Sequence, residues 1–228
     1  MQNFGVIFDM DGTMVDNMMT HHRAWQRKLA DLGLELSLEE VKEKIHGVNE
    51  EILERLFGDR LSPAARKQIS HEKEAVYREV FLPELRLVEG LDVLLDQMAH
   101  AKIPMAIGTA APAENVDFVL DHLQLRPYYQ EVIHAGMVER GKPDPEVFHK
   151  AAEGLGLRAQ QCVVFEDSIT GAETALRAGS PCVVITTTHT QEEFSHFPHI
   201  LGCFPDFKTI TLDWIREKII THSNFSSL

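Results

Sequence analysis

The chain has 228 residues, 44% of them hydrophobic and 25% charged, enough for one large domain or two modest ones with a proper core. Lysine and arginine number 22 against 35 acidic residues, a formal charge of -13, and no basic run is long enough to follow a phosphate backbone, which argues against a nucleic-acid partner. No apolar segment approaches the roughly 18 residues of a membrane span, the chain opens on a strand pattern instead of a leader, and Cys162, Cys182 and Cys203 have no C-x-x-C spacing, so a cytoplasmic monomer with reduced thiols is expected.

The run Phe4-Gly5-Val6-Ile7-Phe8 reads as a buried strand and stops at two carboxylates, Asp9 and Asp11. Successive strand side chains point to opposite faces, so these two share a site only if the chain curls after Phe8, which Gly12 permits. Carboxylates converging at the C-terminal end of a strand stand where open α/β sheets place ligands, and they suit Mg2+. A carboxylate there can also be a covalent nucleophile in phosphoryl transfer. The plainer alternative is an acidic turn, since Asp-Gly is a common turn dipeptide.

From Met18 the period is helical: Met18, Trp25, Leu29 and Leu32 share one face of a helix ending at Gly33. Val41, Ile45, Ile52 and Leu56 continue in helices, as does the run from Ser62 to Phe81, with Pro63 suited to a first turn. Residues 17–83 hold no convincing strand. From Gly90 onward, helices and short apolar strands alternate: strands over 104–108, near 132–133, over 162–165, over 182–185 and near 200–204, and helices between them. The expected fold is α/β, a doubly wound, mainly parallel Rossmann-like core of residues 1–16 and 84–228. An α-helical cap, residues 17–83, is inserted after the first strand, and Pro83 marks the return.

Later strand ends carry matching polar residues. Thr109 follows Met105-Ala106-Ile107-Gly108, with Ala110 and Ala111 leading into a helix, so a hydroxyl and N–H groups can face a phosphate; a helix-capping threonine is the alternative. Gly141-Lys142-Pro143-Asp144-Pro145 opens the next helix, its prolines stiffening a loop whose lysine serves nearby carboxylates or is merely solvated. Cys162-Val163-Val164-Phe165 ends in Glu166-Asp167-Ser168. Two acids here and two at the first strand can bind one octahedral Mg2+, whereas helix capping explains Asp167 or Ser168 but not both acids. Residues 136–142 also satisfy G-x-x-x-x-G-K, but Pro143 stands where a nucleotide loop needs a hydroxyl.

These four segments, in this order, resemble the haloacid dehalogenase superfamily of phosphatases and phosphomutases over nearly the whole chain. The resemblance implies Asp9 as nucleophile, Asp11 as general acid and base, and Thr109 and Lys142 as phosphate ligands; Ala110, whose N–H follows Thr109, is a further candidate substrate contact. It implies a Mg2+ site of Asp9, Asp11 through its main-chain carbonyl, Asp167 and Glu166. Dehalogenases of the superfamily lack the second aspartate and the metal, so Asp11 points to phosphate chemistry. Asp9, at an ordinary pKa of about 3.9, is expected to be ionised at neutral pH. Asp11 needs a raised pKa in a site that closes, and the cap is the element expected to close it.

The segment His21-His22-Arg23-Ala24-Trp25 is similar to β-phosphoglucomutases, His21 matching a mutase histidine or else lying exposed on a cap helix. In Ile45-His46-Gly47-Val48-Asn49-Glu50, Gly47 matches a mutase loop, but His46 and Glu50 replace its two basic residues. A carboxylate cannot imitate an arginine gripping a distal phosphate. His46 remains a candidate ligand for a phosphate or hydroxyl, and Glu50 for a sugar hydroxyl. The expectation is therefore a Mg2+-dependent hydrolase of a small phosphorylated metabolite, a sugar or polyol phosphate, acting through an aspartyl-phosphate. The alternatives are a β-phosphoglucomutase, an inorganic pyrophosphatase and a non-catalytic binding protein; neither nucleic acid nor membrane is expected as a partner.

Overall fold

In the computed structural model, which describes residues 4–45 and 47–225, the chain separates into two compact units. One comprises the residues up to Asp16 together with those from Arg86 on, the other Asn17–Leu85. The strands of the first unit are β1 (Gly5–Phe8), β2 (Met105–Gly108), β3 (Glu131–Ile133), β4 (Cys162–Glu166), β5 (Cys182–Ile185) and β6 (Ile200–Phe204). They form a parallel sheet in the order β3-β2-β1-β4-β5-β6. The α/β expectation is met.

β1 is central, and all four of its residues are buried. Ile7 joins Ala106, Val164, Val184 and Phe148 in an apolar layer on one face. On the other, Phe8 stacks on Phe165 at 5.0 Å, with Phe207 and Tyr129 against Phe8. Burial on both faces is why this strand reads as a continuous apolar run and not as an alternation. The edge strand β6 is half-buried throughout.

In chain order the helices are α1 (Met18–Asp31), α2 (Leu38–Lys44), α3 (Asn49–Phe57), α4 (Pro63–Phe81), α5 (Leu91–His100), α6 (Ala113–His122), α7 (Glu146–Gly154), α8 (Ile169–Ala178) and α9 (Leu212–Phe225). The second unit holds α1 to α4 and no strand among its described residues. Its local signals are plain: Ser62 caps α4 ahead of Pro63, and Ser37 with Glu40 forms a capping box on α2. Trp25, Leu29, Val41, Ile45, Ile52, Leu53, Phe57 and Ile69 form its apolar core, with Leu32 and Leu56 packed against it.

Beside that core runs a polar interior. Lys73, 2% exposed, lies 2.8 Å from His21 Nδ1 and donates to Glu74 at 2.9 Å. The Asn49 amide donates to Glu74 at 2.7 Å, and His21 stacks on the buried Tyr77 ring at 3.9 Å. A lysine and a glutamate buried together persist only when paired, as these are.

Candidate active site

The strand order reverses between β1 and β4, the point where open α/β sheets place their ligands. Phe8 lies opposite Phe165, so Asp9 and the Glu166-Asp167 pair leave the sheet side by side. The Asp9 N–H donates to the Phe165 carbonyl at 2.9 Å. The chain then curls: Met14 and Val15 both donate to the Met10 carbonyl, and Gly12 takes a φ of 81°, a left-handed conformation that favours glycine.

Lys142 Nζ donates to Asp9 Oδ1 and to Glu166 Oε1, both at 2.6 Å, with the lysine side chain 8% exposed. One oxygen from each of Asp9, Glu166 and Asp167 lies within 4.8 Å of the other two, and all three residues are buried. Asp11 is half-buried and outside this trio, its charge reaching Asp9 as a minor upward push on the Asp9 pKa.

Glu166 is the anchor of the site. While Oε1 receives Lys142, Oε2 accepts the N–H groups of Asp167 and Ser168 at 2.9 and 3.0 Å and the Ser168 hydroxyl at 3.0 Å. Ser168 in turn caps α8 through the Gly171 N–H. A Cβ on Gly171 would stand 1.8 Å from the Glu166 carboxylate carbon. We therefore expect Gly171→Ala to destabilise the protein: overpacking costs about 1–3 kcal/mol, against about 1 kcal/mol gained from helix propensity. Thermal unfolding checks this, and an unchanged or raised midpoint contradicts it.

Burial, with the Glu166 charge adding and Lys142 opposing, pushes the Asp9 carboxyl up to about 8. The expectation of an ordinary carboxylate leaves out this depth, and a cation held by the same cluster would favour the ionised form again. Burial, then Glu166 and Asp9, also raise Asp167 well above the usual range. Burial works against the Lys142 ammonium, yet Asp9 and Glu166 hold it above the ordinary lysine value. When all three carboxylates are ionised, the single Lys142 ammonium, bonded to Asp9 and Glu166, leaves two negative charges without an offset. A divalent cation fits that charge, and an all-oxygen donor set fits a hard one.

Thr109 is buried at the end of β2, donating its N–H to the Ile133 carbonyl. Its hydroxyl accepts the Ala111 N–H at 3.1 Å, whereas Pro112 occupies the cap position of α6, so Thr109 is not that helix's cap. Ala110 follows, exposed in a bend. The loop carrying Lys142 is organised by a residue the sequence reading passed over. Glu146 accepts the N–H groups of Glu139 and Arg140, both at 3.0 Å, and pairs with Lys150 at 2.6 Å. Lys150 first, then those N–H groups, lower its carboxyl to about 2. Thr188, also passed over, donates to Asp167 Oδ2 at 2.5 Å. The signal for it was available: a run of hydroxyl residues directly after an apolar strand.

In the second unit His21 is half-buried against Tyr77 and Lys73, so it is not the exposed helix histidine of the alternative reading. Gly47 is exposed with a φ of 95°, and Glu50 is half-buried in the first turn of α3. His46 lies outside the described residues.

A sheet with its strand-order reversal at this carboxylate–lysine cluster defines an enzyme class. A family model for haloacid dehalogenase-like hydrolases matches residues 5–179, and the chain belongs to that family. Among its relatives, the fructose-1-phosphate phosphatase YqaB of Escherichia coli K12 is 34% identical over 184 residues, 78% of this chain and 94% of the relative. The 6-phosphogluconate phosphatase of the same bacterium is 28% identical over 176 residues, covering 76% of this chain and 78% of the relative. Among solved structures, a HAD hydrolase of family IA, variant 3, from Entamoeba histolytica HM-1:IMSS matches with a TM-score of 0.87 and 26% identity, covering 95% of this chain and 99% of that one. No helix among the described residues is long and apolar enough to cross a membrane.

Proposed function

We propose that the protein is a Mg2+-dependent phosphohydrolase acting on a small phosphorylated metabolite, a sugar or polyol phosphate. The observation that carries this reading is the buried Lys142 ammonium held at 2.6 Å from both Asp9 and Glu166, with Asp167 completing the carboxylate cluster. Asp9, Asp167 and the Asp11 carbonyl would hold the cation, with Glu166 acting through water because both its oxygens are engaged. When bound, Mg2+ would supply charge neutralisation at the transferring phosphoryl group.

Asp9 attacks phosphorus, the bond to the leaving oxygen breaks, and Asp11 gives that oxygen its proton. Lys142 offsets the charge of Asp9 and of the phosphoryl oxygens, and the Thr109 hydroxyl and Ala110 N–H receive those oxygens. Asp11, now ionised, takes a proton from water, whose oxygen attacks the aspartyl-phosphate and releases inorganic phosphate.

Hydrolysis is favoured over mutase chemistry by Glu50. A mutase must retain a second phosphate while its intermediate turns around, and a carboxylate repels that dianion where a basic residue would grip it. The phosphatase relatives support the same choice. The test is a panel of sugar and polyol phosphates, nucleotides and pyrophosphate with Mg2+, together with β-glucose 1-phosphate plus catalytic glucose 1,6-bisphosphate. Phosphate release from a sugar or polyol phosphate is the expected result. Glucose 6-phosphate forming much faster than free phosphate would overturn it and shift attention to Arg55, whose guanidinium donates to the Lys44 carbonyl at 2.8 Å.

A further inference from the structure

The chain leaves β5 through three consecutive threonines, and each hydroxyl bonds a different element. Thr186 Oγ1 donates to the Phe204 carbonyl of β6 at 3.3 Å. Thr187 Oγ1 donates to the Gly12 carbonyl in the turn after β1. Thr188 Oγ1 donates to Asp167 Oδ2 at 2.5 Å. The last two bonds clamp the two sides of one contact, because a Cβ on Gly12 would stand 2.1 Å from that same Asp167 oxygen.

The segment is fixed at both ends. Before it, the Thr186 N–H donates to Phe204 at 2.8 Å. After it, Thr190 and Glu193 form a capping box, the Thr190 N–H donating to Glu193 at 2.8 Å, and Phe194 is 2% exposed. Thr188 itself is exposed, so its hydroxyl reaches a buried carboxylate from a position with little packing to lose.

We propose that Thr188 is a positioning residue for the cation site, its hydroxyl holding the Asp167 carboxylate against the Gly12 turn while Thr187 holds the turn. This rests on the reading of Asp9, Glu166 and Asp167 as a cation site. A carboxylate ligand gains from an outer hydrogen bond that fixes its rotamer, and losing such a partner typically weakens metal binding by roughly 10- to 100-fold. Thr13 also approaches Asp167, but at 3.4 Å its hydroxyl is too distant to replace Thr188.

The test is Mg2+ binding by calorimetry, without substrate, to the wild-type chain, Thr188→Val and Thr188→Ser. Valine keeps the shape and removes the donor; serine keeps the donor. The valine variant should bind Mg2+ roughly tenfold more weakly and the serine variant close to wild type. Equal or tighter binding by Thr188→Val overturns the assignment, and so does an equal loss in Thr188→Ser, which would trace the effect to packing. If the wild-type chain itself binds no Mg2+, the cation-site reading fails and the assignment falls with it. Binding by wild type without a valine effect removes Thr188 alone.

Discussion

Asp9→Asn is expected to lower turnover by roughly 10^4-fold or more while leaving the fold intact. Asparagine has nearly the shape of aspartate, and its carbonyl oxygen can still accept from Lys142, but it carries no charge with which to attack phosphorus. The same substitution should change stability in a way that depends on pH. The folded-state pKa of Asp9 is raised to about 8, so the protonated carboxyl is favoured by folding. That contribution is complete below the unfolded value and is lost as pH rises through about 8. Asparagine stays neutral throughout. In EDTA, the variant should therefore gain stability over the wild-type chain as pH rises from 4 toward about 8, then hold that advantage. Activity within tenfold of wild type would remove Asp9 from the nucleophile role. A pH-independent stability difference would contradict the burial argument.

Lys142→Met is expected to damage both stability and catalysis. It takes the ammonium from between Asp9 and Glu166, each 2.6 Å away and each buried. Removing one partner of a buried pair costs about 3–5 kcal/mol, because a charge is left without compensation. Protonation of Asp9, whose carboxyl burial already pushes up to about 8, limits this cost, so the loss should be smaller at pH 5 than at pH 8. Turnover should fall by roughly 10^2- to 10^3-fold, the scale of losing one preorganised donor to a developing charge. Lys142→Arg should recover stability in part but not turnover, since a planar guanidinium cannot place one point charge between two carboxylates as an ammonium does. Denaturant unfolding and kcat/KM measured on both variants check this. Wild-type turnover in the methionine variant would exclude Lys142 from the chemistry.

Much of the fold was legible because its signals are local. The β1 run is continuous because the strand is covered on both faces, and Ser62-Pro63 announces α4 by cap and first-turn chemistry. The strand ends were legible for the same reason, as Asp9, Thr109 and Glu166-Asp167 each follow an apolar run. What escaped was set by tertiary depth and by bonds across long separations. The raised pKa of Asp9 follows from burial against neighbouring strands. Glu146 acts on main-chain N–H groups six and seven residues upstream, which leave no side-chain pattern. Lys73-Glu74 lies inside a helix rich in charge with nothing in the sequence to mark its depth, yet is 2% and 8% exposed. Asn49 and His21, both distant in sequence, are its partners.

That interior also decides the state of one ring. An ammonium has three hydrogens to give and no lone pair, so across the 2.8 Å contact Lys73 donates and His21 Nδ1 accepts. The hydrogen of the neutral imidazole must then reside on Nε2. One lysine, 52 residues away in the chain, thus selects a single tautomer of that ring.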